Sequence, residues 1–192
     1  MSHLTPTPFR SGSIAALALV VILWSATETA FAQATVYVVR HAEKVTDAGA
    51  TDPALTASGS ERARALAKTL RSVKLSAIYA TEYQRTRLTV EPTAKRMKIE
   101  PTVVKAASTK ELAARLQERP RGEAVLVAGH SNTVPDLLRA LGVTERISIQ
   151  EADYDDLFVV VPRENGPPAL LRLHYGEFTD AGEAEAGDGG RE

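Results

Sequence analysis

Arg40-His41-Ala42-Glu43 follows directly on the apolar run Val36-Tyr37-Val38-Val39. A strand that ends in Arg-His delivers a guanidinium and an imidazole to the carboxyl edge of a sheet, where open α/β sheets bind their ligands. An imidazole with a free nitrogen is a nucleophile. A guanidinium beside it matches the oxygens of a phosphate in a bidentate fork. The pair reads as a phosphoryl-transfer site if the chain brings more positive charge and a second imidazole. Two further segments do so: Thr81 and Arg85 at the start of one helical pattern, and His130 in Gly129-His130-Ser131-Asn132 at the start of another. In a parallel sheet these strand-to-helix junctions share one edge. Helix N-termini there add free N–H groups and partial positive charge.

The elements that must position these groups show as short apolar runs alternating with helical stripes. Thr35–Val39 reads as a buried strand, and residues 44–54, with Asp47, Gly49, Asp52 and Pro53, as a loop. Thr56, or Ser58 with Glu61, is expected to cap a helix whose Ala63, Leu66, Ala67 and Leu70 share a face. Ala77–Ala80 is a second strand. Thr81-Glu82-Tyr83-Gln84 then reads as a capping box opening a helix to about Met97, with Pro92 expected to kink it. Glu100–Val104 is a third strand, and Ser108-Thr109-Lys110-Glu111 caps a helix carrying Leu112, Ala113 and Leu116. The strand Ala124–Ala128 leads to a helix capped by Thr133, with Pro135 in its first turn and Val134, Leu137, Leu138 and Leu141 as its buried stripe. Leu157–Val161 and Ala169–Tyr175 are the last strands. Strand and helix alternate four times before that final pair, which predicts an α/β domain: a mostly parallel central sheet with helices on both faces.

Val39-Arg40-His41-Ala42-Glu43, Leu55-Thr56-Ala57-Ser58-Gly59, Thr81-Glu82-Tyr83-Gln84-Arg85-Thr86 and Gly129-His130-Ser131 resemble, in this order, the motifs of the histidine phosphatase superfamily, also called phosphoglycerate mutase-like. The resemblance spans about residues 35–161 and is nearest to compact members of the phosphohistidine phosphatase kind. It implies a three-layer αβα sandwich and a catalytic set in which His41 is the phosphorylated nucleophile. Arg40, Arg85 and His130 would bind the phosphoryl group, and neither metal nor cofactor would be needed. Thr81 joins the set as a helix cap that also touches phosphate. The leaving group needs a proton, and here the chain departs from the larger members. The connection from Met97 to Lys110 is short, and Ser131 and Asn132 follow the second histidine. The acid is left open among Glu43, Glu82, Asp136 and Asp153. Glu43 reads equally as a salt-bridge partner of Lys44 or of an arginine, Asp136 as a capping residue, and Glu82 and Asp153 as surface acids. The expected activity is hydrolysis of a small phosphorylated substrate or a phosphopeptide. The alternatives are a phosphomutase, or a module that binds phosphate or sugar phosphate without turnover.

The rest of the chain bounds this reading. It has 192 residues, no cysteine and a net charge of −1. Disulfide, thiol and lipid-anchored cysteine chemistry are excluded, and the absent basic excess argues against a nucleic-acid partner. Arg10, the apolar stretch Ile14–Trp24 and Ala30-Phe31-Ala32 read as a signal peptide over residues 1–32, cut ahead of Gln33. The alternative is an uncleaved N-terminal anchor. Cleavage implies a periplasmic or secreted protein with no stable membrane insertion. The domain then spans residues 33–175. Residues 176–192, rich in Gly, Ala, Glu and Asp, read as a disordered acidic tail. Asp155 and Asp156 read as a solvated loop pair and His174 as structural. Nothing in the pattern specifies an oligomeric state or the substrate.

Overall fold

Alternation along the strands divides the core in two. In β1 (Thr35–Arg40), Val36 and Val38 pack on one side and Tyr37 and Val39 on the other. In β4 (Ala124–Gly129), Val125 and Val127 oppose Leu126 and Ala128, as a side-chain period of two requires. Strands apolar on both faces must be covered on both, and they are. The structure, a computed structural model, describes residues 33–46 and 49–178. Helices α1 (Ala57–Thr69) and α2 (Gln84–Met97) cover one face, where Leu66, Val90 and Ala94 pack with Val39, Ile78 and Leu126. Helices α3 (Thr109–Gln117) and α4 (Thr133–Ala140) cover the other, with Leu112, Leu116, Leu137 and Leu138 against Val36, Val127 and Phe158.

The remaining strands are β2 (Leu75–Thr81), β3 (Thr102–Val104), β5 (Asp156–Val161) and β6 (Ala169–His174). The sheet order is β3-β2-β4-β1-β5-β6. The four strands from β3 to β1 are parallel; β5 runs antiparallel to β1, and β6 to β5. This is the expected three-layer αβα sandwich with a mostly parallel sheet. It brings the C-terminal ends of β1, β2 and β4 and the start of β5 to one edge.

Helix starts show where local signals gave way. Of the two caps read for α1, Thr56 is the one used: its hydroxyl accepts the Gly59 N–H at 3.0 Å. α2 begins at Gln84 and not after Thr81, which is the last residue of β2. Its cap comes from a distant loop, where the Asp52 carboxylate accepts the Gln84 N–H at 2.9 and 3.0 Å. A full negative charge on a helix N-terminus gains from the dipole as well as from the bond, which a local hydroxyl does not match. Thr133 is the first residue of α4 and no cap; its hydroxyl accepts the His130 N–H at 2.9 Å. α2 continues through Pro92 to Met97.

Asp155 and Asp156, read as solvated, are buried instead. Asp156 opens β5 and receives Arg172 in a bidentate pair at 2.6 and 2.8 Å, and Asp155 lies 3.2 Å from His174 Nδ1. Gly59 has a steric reason: a Cβ there would lie 2.2 Å from the Glu43 carbonyl oxygen, so α1 approaches the segment after His41 as closely as only glycine allows. The leader-like residues 1–32, Asp47 and Ala48, and residues 179–192 of the acidic tail lie outside the described residues. No helix among the described residues is long and apolar enough to cross a membrane.

Candidate active site

β1 and β4 are neighbours with Arg40 opposite Gly129. The chain continues from each into a histidine, and the His41 N–H donates to the Gly129 carbonyl at 2.9 Å. β2, on the far side of β4, ends at Thr81 on the same edge. Convergence of the three junctions follows from the parallel topology. The His41 and His130 rings meet edge to face with centroids 5.4 Å apart. Arg40, His41, Arg85 and His130 line one cavity of about 520 Å³, whose walls also include Lys44, Glu82, Tyr83 and Glu151. A larger groove of about 730 Å³ along α2 and β3 holds none of these groups.

His41 is held by its backbone. Its Nδ1 lies 2.8 Å from the Ala42 carbonyl oxygen. A carbonyl only accepts, so Nδ1 carries the proton and Nε2 keeps the lone pair. The Ala42 N–H donates to the Thr89 hydroxyl at 2.9 Å, and that hydroxyl donates to the Arg85 carbonyl at 2.7 Å. Ala42 and two residues of α2, Arg85 and Thr89, thus fix the backbone next to His41. Burial pushes His41 down from 6.5 to about 3; the bond to Ala42 opposes this, and Arg40 adds to it. Burial and then Arg85 push His130 down to about 4, while Glu82 opposes them. Both imidazoles are neutral near pH 7.

These shifts carry a stability consequence. Unfolded imidazoles take up protons near 6.5, whereas the folded ones do so only near 4 and 3. Between these values the unfolded state binds more protons, so stability falls as pH drops from about 6.5. Urea unfolding should show that decline, and His41→Ala should flatten it between pH 6.5 and 4. An unchanged slope in the variant would contradict a buried neutral His41.

The guanidiniums are fixed in different ways. Arg40 is buried; its Nη1 donates to the carbonyls of Gln150, Glu151 and Asp153 at 2.8, 2.9 and 3.1 Å. Its Nη2 lies 3.3 Å from the exposed Glu151 carboxylate, and its Nε has no partner. Arg85 is mostly covered, 3.7 Å from Asp52, with Nε buried and unpartnered. Each guanidinium stacks on a tyrosine, Arg40 at 4.2 Å from the Tyr154 ring centre and Arg85 at 4.3 Å from that of Tyr83. These cation–π contacts hold the cations in place.

Two expected site residues stand behind or outside the cavity. Thr81 is buried behind His130, its hydroxyl 3.0 Å from Nε2 and 2.8 Å from the Thr86 hydroxyl. It orients the second imidazole and does not line the cavity. Glu43 forms the arginine pair that the sequence offered as its other reading: its Oε1 takes Arg62 Nε and Nη2, both at 2.8 Å, and it does not line the cavity. Asp136 pairs with Arg139 and Asp153 accepts the Gln150 N–H at 2.8 Å; neither lines the cavity. Glu82 does. The sequence reading missed Asp52, Thr89, Tyr154 and Glu151. Only Tyr83, two residues before Arg85, stood where spacing alone could have marked it.

The class defined by this fold and site is met in comparison with known proteins. The family model of the histidine phosphatase superfamily (branch 1) matches residues 36–108, a segment that includes His41 and Arg85. That match spans 73 of the 192 residues, and the fold as a whole is similar to that of histidine phosphatases. Among solved structures it is similar to the protein histidine phosphatase SixA complexed with tungstate (TM-score 0.59, 19% identity, 73% of this chain and 96% of that one). It is also similar to a mycobacterial glucosyl-3-phosphoglycerate phosphatase (0.54, 13%, 74% and 98%). A third is the phosphoserine phosphatase of Entamoeba histolytica in complex with 3-phosphoglyceric acid (0.53, 14%, 76% and 98%). At these identities the likeness is one of fold. No curated protein matches the sequence.

Proposed function

We propose that the protein is a phosphatase that hydrolyses a phosphorylated small molecule or phosphopeptide through a phosphohistidine on His41. The observation that carries this reading is the buried, neutral His41 ring, whose bond from Nδ1 to Ala42 leaves the Nε2 lone pair free in a cavity walled by two guanidiniums. Nε2 attacks phosphorus, the leaving oxygen departs, and water then hydrolyses the P–N bond. Arg40, Arg85 and His130 stabilise the equatorial oxygens; one such donor is typically worth ~3–4 kcal/mol. The exposed Glu151 carboxylate yields its place at Arg40 Nη2 to the incoming phosphoryl group. The positive charge that the reaction needs comes from fixed side chains, so the reading requires no metal.

The names of the structural neighbours, phosphatases of protein histidine, phosphoserine and glucosyl-3-phosphoglycerate, support it. The leader-like residues 1–32 support export to the periplasm or the exterior. Brief mixing with a labelled phosphoryl donor such as acetyl phosphate should put acid-labile phosphate on His41, located by mass spectrometry. Binding of the donor without label, or label on another residue, would overturn the reading.

A further inference from the structure

We infer that Glu82 is the group that moves the proton in this site: it protonates the departing oxygen and then takes a proton from the attacking water. The inference rests on the phosphatase reading and completes it. Of the four acids that the sequence left open, Glu43, Asp136 and Asp153 are engaged elsewhere and do not line the cavity, and only Glu82 does. The other carboxylate in the wall, Glu151, is largely exposed and paired with Arg40. Glu82 is held from one side. Its Oε2 accepts the Ala106 N–H at 2.7 Å, which pins the carboxyl against the loop between β3 and α3. Ala106 and Ala107 of that loop also line the cavity. Glu82 is close enough for its charge to be felt at His130, whose Nε2 is tied to Thr81.

In the first half-reaction the His41 Nε2 lone pair forms the P–N bond, and the P–O bond breaks with its electrons left on oxygen. Glu82, in its acid form, gives that oxygen its proton and becomes a carboxylate. In the second, water forms the new P–O bond, the P–N electrons return to Nε2, and Glu82 takes the water proton. The sum is phosphoester plus water giving alcohol plus phosphate, with Glu82 and His41 restored.

Glu82→Gln separates this role from the structural latch, because the amide oxygen still accepts the Ala106 N–H while the side chain transfers no proton. An aryl phosphate such as p-nitrophenyl phosphate leaves without protonation and an alkyl phosphate does not. In Glu82→Gln, kcat/KM for the alkyl substrate should fall ~10²-fold or more relative to that for the aryl substrate, in the range of general acid catalysis. The aryl substrate should also give a burst of nitrophenol before slow turnover, because dephosphorylation has lost its base. Equal loss on both substrates would reduce Glu82 to a loop latch. A leaving-group dependence that appears in His130→Asn but not in Glu82→Gln would move the role to His130. Either result overturns the assignment and leaves the His41 reading standing. Absence of phosphate release by the unaltered protein would remove both.

Discussion

His41→Ala should lower kcat on any phosphoryl donor by on the order of 10³-fold or more and abolish the acid-labile label. The size of the effect follows from what the ring does in the resting site. It is neutral and adds no charge to anion binding, but it holds a lone pair aimed by the Nδ1 bond to Ala42. The variant should therefore keep its affinity for inorganic phosphate within severalfold, because Arg40, Arg85 and His130 remain in the cavity wall. Phosphate binding by calorimetry alongside steady-state turnover separates the two effects. Undiminished hydrolysis of p-nitrophenyl phosphate by His41→Ala would take the nucleophile away from this residue.

Arg62→Ala should be the most costly single change to stability, at about 3–5 kcal/mol, the usual result of removing one partner of a buried ion pair. Arg62 is buried and meets three acceptors through four contacts of one guanidinium. Nε and Nη2 reach Glu43 Oε1, and Nη1 donates to the carbonyls of Tyr175 and Glu177 at 3.0 and 2.8 Å. Alanine leaves the Glu43 carboxylate and both carbonyls without their donor. Urea denaturation should show the loss, and Tm should drop by roughly 10 °C. The double variant Glu43→Leu/Arg62→Leu should recover part of it, because an apolar pair leaves no stranded charge. A cost under ~1 kcal/mol for Arg62→Ala would mean that the pair behaves as a solvated surface contact.

The parts of the fold that were legible in the sequence are those set by local pattern. Alternation in β1 and β4, the stripes of α1, α3 and α4, and the order of strand and helix all act over a few residues. Once read, the parallel sheet brings His41 and His130 together without further information. What could not be read depends on long-range partners. Thr81 offered a sound local cap, but the Asp52 carboxylate took the α2 N-terminus and Thr81 was left to orient His130. Glu43 sits two residues from His41 in sequence, yet its partner is one helix away at Arg62. Arg40 places its Nη1 donors on carbonyls about 110 residues downstream, which no spacing rule could announce. Asp155 and Asp156 looked like loop residues because their compensating partners, Arg172 and His174, belong to a strand that returns antiparallel.

Arg62 also has a mechanical meaning. It fastens the chain beyond β6 to Glu43, two residues past His41, while β3 forms the opposite border of the sheet. Tension applied to the carboxyl end reaches the cavity through that clamp, and a load hung on β3 reaches it through the loop whose Ala106 N–H holds Glu82. A surface tether or force probe joined at either place would pull on the cavity wall, from the β3 side through Glu82 and from beyond Phe178 through Glu43.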